Sequence, residues 1–226
     1  MAQEEELKLY GLWASPLCMT VEVALKLKGV NYEYIQEDFA NKSEDLLRHN
    51  PMHRKVPVLV HKGKPLAETL IIAQYIDATW EEPPLLPEDP YERAMVCFWV
   101  DFLYSKLLPV SRTIFLSEGE KREKAIEEMA ELIRRMSKEL SDRVPLPNDK
   151  GLGLLDIAMG TSYFWLRALG EIAGVELVSE EKAPFMYSSL VKLESHAVAK
   201  EVLPERGTLV EHALSVREKM RASIAF

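Results

Sequence analysis

Cysteines, positive charge and long apolar runs are all scarce in this sequence of 226 residues. Its two cysteines, Cys18 and Cys97, lie far apart and outside any metal-ligand spacing, which argues against a disulfide framework and against a zinc or other metal site. The chain has 28 Lys and Arg against 36 Asp and Glu, a net charge of -8, which disfavours nonspecific binding to nucleic acid or to anionic membranes. No apolar run approaches the roughly 18 residues of a membrane-spanning helix. The acidic first residues are unlike a secretory signal, so we expect a cytoplasmic protein with reduced thiols.

The composition predicts a compact globule, since 47% of the residues are hydrophobic and 28% are charged. Residues 1–80 alternate between strand and helix patterns. "ELKLYGLW" predicts a strand, followed by a helix that begins at Pro16 and stops at Gly29. "VNYEYIQED" predicts a second strand, and Ser43 is suited to cap a short helix. Two apolar runs around a Lys-Gly turn predict a hairpin, and "TLIIAQYIDATW" predicts an amphipathic helix. The predicted order is βαβαββα.

The composition and the predicted secondary structure change after residue 80. "EEPPLLPEDP", residues 81–90, holds four of the thirteen prolines, which predicts a stiff linker and a domain boundary. Beyond it we find helical periods and no convincing strand. The predicted helices are roughly 91–116, 120–142, 155–170, 185–200 and 207–222. Residues 91–226 are therefore expected to form an all-α domain.

Several motifs resemble the plant tau-class glutathione S-transferases. They are "WASPLC" at the first strand–helix joint, "KVPVL" before the hairpin, "AETLIIAQYID" after it, and "LGLLDIAMG" in the helical part. The resemblance implies a thioredoxin-like α/β domain with a mixed sheet that binds glutathione, and an all-α domain that lines a hydrophobic substrate site. It also implies a homodimer that conjugates the thiolate of reduced glutathione, its co-substrate, to hydrophobic electrophiles in detoxification and stress responses. It implies no permanently bound cofactor, and it implies some glutathione peroxidase activity.

Ser15 has two interpretations. A Ser-Pro pair at the start of a helix is common capping chemistry, and "ASPLC" is not the G-x-S-x-G elbow of a serine hydrolase. The resemblance implies instead that the Ser15 hydroxyl stabilises the glutathione thiolate. Lowering a thiol pKa from about 8.5 by two units requires roughly 2.7 kcal/mol. A hydroxyl that donates to an anion supplies about 1.5–3 kcal/mol and a helix N-terminus about 0.3–1 kcal/mol, so together they suffice.

The resemblance also assigns the ends of glutathione. Glu68 pairs with its ammonium, and Thr69 receives the γ-glutamyl carboxylate at a helix start, although relatives usually carry serine there. The other proposed glutathione contacts are the glycyl-carboxylate lysines Lys42 and Lys55 and the backbone of Val56-Pro57, whose peptide bond is cis in such folds. Without the family resemblance, the sequence would indicate only that Thr69 caps a helix and that the two lysines are solvated surface charges.

Further positions look like those that line the hydrophobic substrate pocket. They are Leu12, Leu108, Arg112, Trp165, His212 and Val216. An apolar or aromatic residue at helical spacing is more often part of the core, so both interpretations stay open. Gly153 takes the place of the Ser or Thr of a capping box, which leaves Asp156 to bind the Gly153 N–H.

Two departures keep other functions open. Many tau-class relatives carry arginines shortly after the serine, where this chain has Thr20 and Glu22, so the surroundings of a thiolate are less positive. A weakly catalytic carrier of hydrophobic ligands is therefore one alternative. The other is redox chemistry through Cys18, because Ser15-x-x-Cys18 has the spacing of a thioredoxin-type C-x-x-C motif.

Overall fold

The first part of the protein is built around a four-stranded mixed sheet. The computed structural model describes residues 6–38, 41–143 and 151–224. The elements of this part are β1 Leu7–Gly11, α1 Pro16–Leu27, β2 Glu33–Gln36, α2 Glu44–His49, β3 Val58–His61, β4 Lys64–Ala67 and α3 Thr69–Thr79. β1 pairs in parallel with β2 and antiparallel with β3, and β4 completes the order β2-β1-β3-β4. The predicted βαβαββα order is confirmed.

Local signals explain where these elements begin and end. Pro16 is the first residue of α1, where its missing N–H is not needed. Gly29, just beyond the helix, has a φ of 65°, which glycine adopts without strain. The hydroxyl of Ser43 accepts the Leu46 N–H at 3.0 Å and caps α2 as predicted.

Alternate residues of the sheet face opposite layers. Leu9 and Leu59 are fully buried in the core that includes α1 and α3, whereas Tyr10 and Val58 pack with Leu46 of α2 on the other face. This two-residue period creates two apolar faces, with α1 and α3 packed on one side of the sheet and α2 on the other.

In the second part, all regular secondary structure among the residues described beyond Asp89 is helical. Its elements are α4 Pro90–Phe102, a π-helical turn Leu103–Leu107, α5 Leu108–Leu116, α6 Gly119–Arg143, α7 Leu154–Ala173, α8 Pro184–Ser195, α9 Ala199–Val202 and α10 Arg206–Ile224. α7 is the central helix, and its largest partner is α8. The all-α prediction is confirmed.

The predicted helix 91–116 contains a π-helical turn that the sequence analysis missed. The Leu108 N–H donates to the carbonyl of Leu103, five residues earlier. In a regular α-helix the ring of Pro109 would clash with the Ser105 carbonyl, so a wider turn just before the proline lets the helix continue.

The predicted helix 185–200 is in fact two helices. α8 ends at Ser195, and His196 is extended, with φ −84° and ψ 140°, before the short α9 begins at Ala199. The prediction of a single helix was wrong because the sequence there has no glycine or proline to signal the break.

The helix pair α4 and α5 also qualifies the expectation about membranes. The continuous helix Pro90–Leu116 contains an 18-residue window with a mean hydropathy of 1.3, so by length and composition it could cross a membrane. One third of that window, 33%, is buried, and α4 and α5 both pack against α7. A core helix of a globular fold passes the same test of length and composition.

The cap of α7 is built as predicted. Asp156 accepts the Gly153 N–H at 3.1 Å, and Lys192 of α8 donates to the same carboxylate oxygen at 2.8 Å. This carboxylate therefore joins the two central helices, which the sequence did not indicate.

The proline-rich segment 81–89 has no regular structure, but its central residue Leu85 is bonded to both parts of the protein. The Leu85 N–H donates to Asp77 at 2.7 Å, and the Leu85 carbonyl accepts the Leu154 N–H at 2.8 Å. One continuous core includes Leu9 of β1 and Leu169 of α7. The division into domains 1–80 and 91–226 therefore stays a prediction.

Candidate active site

Ser15 occupies the N-cap position of α1, but its side chain makes no capping hydrogen bond. Its backbone is extended, its N–H donates to Leu12 O at 2.9 Å, and its carbonyl accepts the Met19 N–H at 2.9 Å. The hydroxyl is thus left at the positive end of the helix dipole without the usual structural task of a capping serine. This observation favours chemistry over capping.

Cys18 lies directly behind Ser15 and is completely buried. The Leu12 N–H donates to its sulfur at 3.3 Å, and this contact and the nearby Ser15 side chain both favour the thiolate. Burial nevertheless raises the pKa of the Cys18 thiol to about 12. A buried thiol that stays protonated is a poor nucleophile, so the redox alternative loses its support.

The N-terminus of α3 lies beside the first turn of α1. Thr69, the first residue of α3, is buried, and its hydroxyl donates to the Leu17 carbonyl at 3.5 Å. Glu68, just before it, is exposed and has a φ of 73°, a conformation that costs a non-glycine residue about 1–3 kcal/mol. The N-termini of α1 and α3 and the acidic Glu68 therefore lie close together. This arrangement offers both positive and negative charge to a ligand that itself carries both signs.

The loop between α2 and β3 brings together the remaining residues that the resemblance assigns to glutathione. Lys42 Nζ donates to the Arg54 carbonyl at 2.8 Å, next to Lys55 in the chain, and both lysines are exposed. The Lys55 carbonyl accepts from the Asn50 side chain at 2.9 Å, which holds the loop. The Val56-Pro57 peptide bond is cis, as the family resemblance implied.

The residues predicted to line the hydrophobic site are spread over the loop 12–15 between β1 and α1, called the active-site loop below, and over three helices that pack on one another, α5, α7 and α10. Leu12 is half-buried in the loop before Ser15, and Leu108 and Arg112 lie one turn apart on α5, half-buried and exposed respectively. Trp165 of α7 has its ring 6.0 Å from that of Phe115 of α5, so it contributes to the packing between these helices.

His212 and Val216 lie one turn apart on α10, and both are half-buried. The ring of His212 is 4.7 Å from the ring of Trp13, which precedes Ser15 by two residues. Burial, with a smaller contribution from the charge of Lys219, lowers the pKa of His212. α10 therefore reaches the active-site loop through a neutral, largely apolar contact.

Three contacts of the site, made by Trp13 and His53, were missed by the sequence analysis. The Trp13 ring links the loop to α10, and the Trp13 backbone N–H donates to the side-chain oxygen of Gln36 at 3.4 Å. His53 Nε2 lies 3.8 Å from a Glu68 carboxylate oxygen and joins the α2–β3 loop to the start of α3. The motif "WASPLC" contains Trp13, but nothing in the sequence signals its partner about two hundred residues later.

Comparison with known proteins identifies this arrangement. A family model described as the glutathione S-transferase N-terminal domain matches residues 5–78. A probable glutathione S-transferase of Glycine max is 41% identical and covers 98% of this chain and 99% of its own length; one of Nicotiana tabacum is 44% identical over 97% and 98%. A crystal structure of a tau-class enzyme from mango, 37% identical, superposes with a TM-score of 0.83 over 92% of this chain and 97% of its own. A rice glutathione S-transferase in complex with glutathione, 33% identical, gives 0.84 over 96% and 99%.

The chain belongs to the tau-class glutathione S-transferase family. It therefore has the thioredoxin-like and helical parts that the sequence motifs implied. Within residues 6–38, 41–143 and 151–224, no group of three or more His, Cys, Asp or Glu side chains could hold a metal ion. The roles of the individual residues toward glutathione and toward an electrophile stay predictions.

The structure changes the meaning of the two departures from the tau-class pattern. Thr20 is completely buried and hydrogen-bonds to Tyr104 and Thr161 of the helical part, so it is a packed contact and not simply a missing surface charge. Glu22 is half-buried, and burial raises the pKa of its carboxyl to about 7, against weaker opposing effects of Lys26 and Tyr32. Below that pH it carries little negative charge.

Proposed function

We propose that this protein transfers the thiolate of reduced glutathione to hydrophobic electrophiles, with Ser15 as the residue that stabilises the thiolate. The observation that carries the proposal is the Ser15 hydroxyl, which sits at the N-terminus of α1 and takes no part in capping it. The hydroxyl donates to the sulfur of bound glutathione and lowers its pKa. The thiol proton leaves to solvent, the sulfur attacks the electrophilic carbon, and the leaving group departs with its electron pair.

The charges around Ser15 suit the tripeptide. The exposed Glu68 carboxylate pairs with the glutathione ammonium, and the γ-glutamyl carboxylate binds at Thr69 and the N-terminus of α3. Lys42 and Lys55, which the α2–β3 loop brings near each other, bind the glycyl carboxylate. Both ends of the ligand are thus matched by local charge on a chain whose net charge is negative.

The test is Ser15→Ala, with Ser15→Thr as the variant that keeps a hydroxyl. Removing about 1.5–3 kcal/mol of thiolate stabilisation raises the thiol pKa by one to two units and lowers turnover near neutral pH by about ten- to hundredfold. Because no capping bond is lost, the unfolding midpoint in urea changes little. Ser195→Ala, which removes an exposed hydroxyl bonded to the Lys192 carbonyl on α8, is the matched control.

The assay is conjugation of glutathione to a chlorodinitrobenzene across pH, combined with titration of the bound thiol by its ultraviolet absorbance. A wild-type rate no greater than the uncatalysed background, with glutathione bound, would support the carrier alternative. Equal turnover by wild type and Ser15→Ala would remove Ser15 from the mechanism.

We also propose that the protein is a homodimer joined through the outer face of α4. Phe98 and Tyr91 lie two turns apart on this helix and are 53% and 71% exposed. Between α4 and α6 is a groove of about 460 Å³. It is lined by Met95, Phe98, Trp99, Phe102, Leu132, Arg135, Met136 and Glu139. A two-fold interface at this groove would cover its apolar side chains with the same residues of the second chain.

Sedimentation velocity tests the dimer. The wild type is expected at twice the mass of one chain, and Phe98→Glu is expected to shift it to the monomer, because a charge placed in an apolar interface is desolvated without a partner. Val191→Glu, at a 46% exposed apolar position on α8 outside the groove, should leave the dimer intact. A monomeric wild type contradicts the proposal.

A further inference from the structure

Three hydroxyl groups meet in the interior where the two parts of the protein join. Thr20 Oγ1 of α1 lies 2.9 Å from Tyr104 Oη in the π-helical turn and 2.9 Å from Thr161 Oγ1 of α7. Thr20 and Thr161 are completely buried. Buried hydroxyls in an apolar core are costly unless each is hydrogen-bonded, so this cluster holds its members in defined positions.

The hydrogens of the cluster can be counted. Thr161 donates to the Ile157 carbonyl at 2.9 Å, and the single hydrogen of Thr20 goes to the Pro16 carbonyl at 3.0 Å or to Thr161. Either hydroxyl can be the donor in the Thr20–Tyr104 bond, and whenever the Thr20 hydrogen goes to Pro16 or Thr161 the Thr20 oxygen accepts the hydrogen of Tyr104. Burial raises the pKa of Tyr104, so this hydrogen is retained.

The cluster reaches the active site through the first turn of α1. Pro16, whose carbonyl contacts Thr20, follows Ser15 directly in the chain. A shift or rotation of this turn therefore moves the Ser15 hydroxyl. On the other side, Tyr104 lies in the turn that leads directly into Leu108, at the predicted wall of the electrophile site. The cluster thus connects the helix that carries Ser15 to the helix that carries the second-substrate residues.

We propose that Tyr104 is a positioning residue: its hydrogen bond to Thr20 fixes the first turn of α1 against the helical part and so aims the Ser15 hydroxyl at the glutathione sulfur. The inference rests on the function proposed above. Hydrogen-bond catalysis depends on donor placement to a fraction of an ångström, and a misplacement of about 1 Å can cost on the order of a hundredfold in rate. The π-helical turn is part of the device, because it carries Tyr104 at the point where the helix is widened ahead of Pro109.

The experiment compares Tyr104→Phe and Thr20→Val with Thr20→Ser, which restores the hydroxyl. Tyr187→Phe on α8 is the tyrosine control. Thr79→Val is the threonine control, since Thr79 also donates to the carbonyl four residues earlier but is exposed at the end of α3. Each variant is measured for turnover, for the KM of glutathione and for the pKa of the bound glutathione thiol.

Tyr104→Phe and Thr20→Val are expected to lower turnover by about five- to twentyfold and to raise the bound thiol pKa by roughly half to one unit. The KM of glutathione should stay within about twofold, because the ends of the tripeptide bind elsewhere. Thr20→Ser should recover most of the loss, and the double variant Thr20→Val/Tyr104→Phe should lose no more than either single variant. Both controls should match the wild type.

A purely structural role would give a different pattern. If Tyr104→Phe lowers the unfolding midpoint but leaves turnover and the thiol pKa at wild-type values, the positioning role is refuted. If Thr20→Ser behaves like Thr20→Val, the hydroxyl is not what matters and the role is again refuted. A wild type that does not lower the thiol pKa at all overturns the proposed function and the positioning role with it, whereas failure of the Tyr104 prediction alone leaves Ser15 untouched.

Discussion

The half-buried carboxyl of Glu22 makes the stability of this protein fall as pH rises. Burial raises the pKa of Glu22 from its ordinary value of 4.5 to about 7 in the folded protein. Between these two pH values the native state keeps a proton that the unfolded chain has released, so unfolding becomes more favourable as pH increases. A pKa difference of about two to three units contributes roughly 3 kcal/mol to the free energy of unfolding. This contribution is fully present below about pH 4.5 and is lost once the pH passes about 7.

Glu22→Gln removes this dependence because an amide does not ionise. We expect the variant and the wild type to have similar free energies of unfolding near pH 4.5, and the variant to be more stable by about 3 kcal/mol near pH 8. The hydroxyl of Tyr32, 3.5 Å from a Glu22 carboxylate oxygen, can donate to the amide oxygen in the same way.

The assay is urea unfolding followed by circular dichroism at several pH values, at fixed protein concentration so that any dimerisation contributes equally. Glu127→Gln, at an exposed position of α6, controls for the change in net charge and should give a difference near zero at every pH. A Glu22→Gln difference that does not change between about pH 5 and pH 8 would refute the reasoning.

Two further substitutions test how the fold holds the site. Asp156→Ala removes both the bond to the Gly153 N–H and the ion pair with Lys192, and should lower the free energy of unfolding by about 2–4 kcal/mol in urea titrations. Asp156→Asn keeps an acceptor for the Gly153 N–H and should cost less. Equal losses in the two variants would contradict this prediction. Gly11→Ala would place a Cβ 2.6 Å from the Tyr34 hydroxyl and should destabilise by about 1–3 kcal/mol, with partial recovery in Gly11→Ala/Tyr34→Leu measured by thermal unfolding; no recovery would locate the strain elsewhere.

The sequence predicted the parts of the fold that local signals determine. Pro16 and Gly29 bound α1 because proline and glycine have distinct backbone preferences, and Ser43 caps α2 because its hydroxyl reaches the next turn. The strand and helix patterns were sufficient to predict the order of the elements along the chain, βαβαββα, but not the order of the strands within the sheet. Where the outcome depends on a clash within a helix, as at the turn before Pro109, or on a break without glycine or proline, as at His196, the pattern alone was insufficient.

The candidate site divides in the same way. The residues near Ser15 were found because they lie in short motifs, and the family resemblance carried over Glu68, Thr69 and the lysines. Contacts between distant segments could not be found, since neither the Trp13–His212 ring contact nor the Thr20–Tyr104 bond leaves a periodic signal in the sequence. These contacts depend on how the helical part docks on the sheet part, which no local propensity encodes.

The two residues that replace basic side chains after Ser15 act on the site in different ways. Thr20 is buried and neutral, so its contribution is geometric. Glu22 is electrostatic: burial is the main cause of the raised pKa of Cys18, one helical turn after Ser15, and the charge of Glu22 adds to it, so the same field opposes an anion held by the Ser15 hydroxyl. Because Glu22 keeps its proton up to about pH 7, this opposition is weak where a thiolate must first form and grows only at higher pH, where thiols ionise more readily unaided. The acidic replacement is therefore compatible with thiolate chemistry near neutral pH, provided that the donor at Ser15 is correctly aimed.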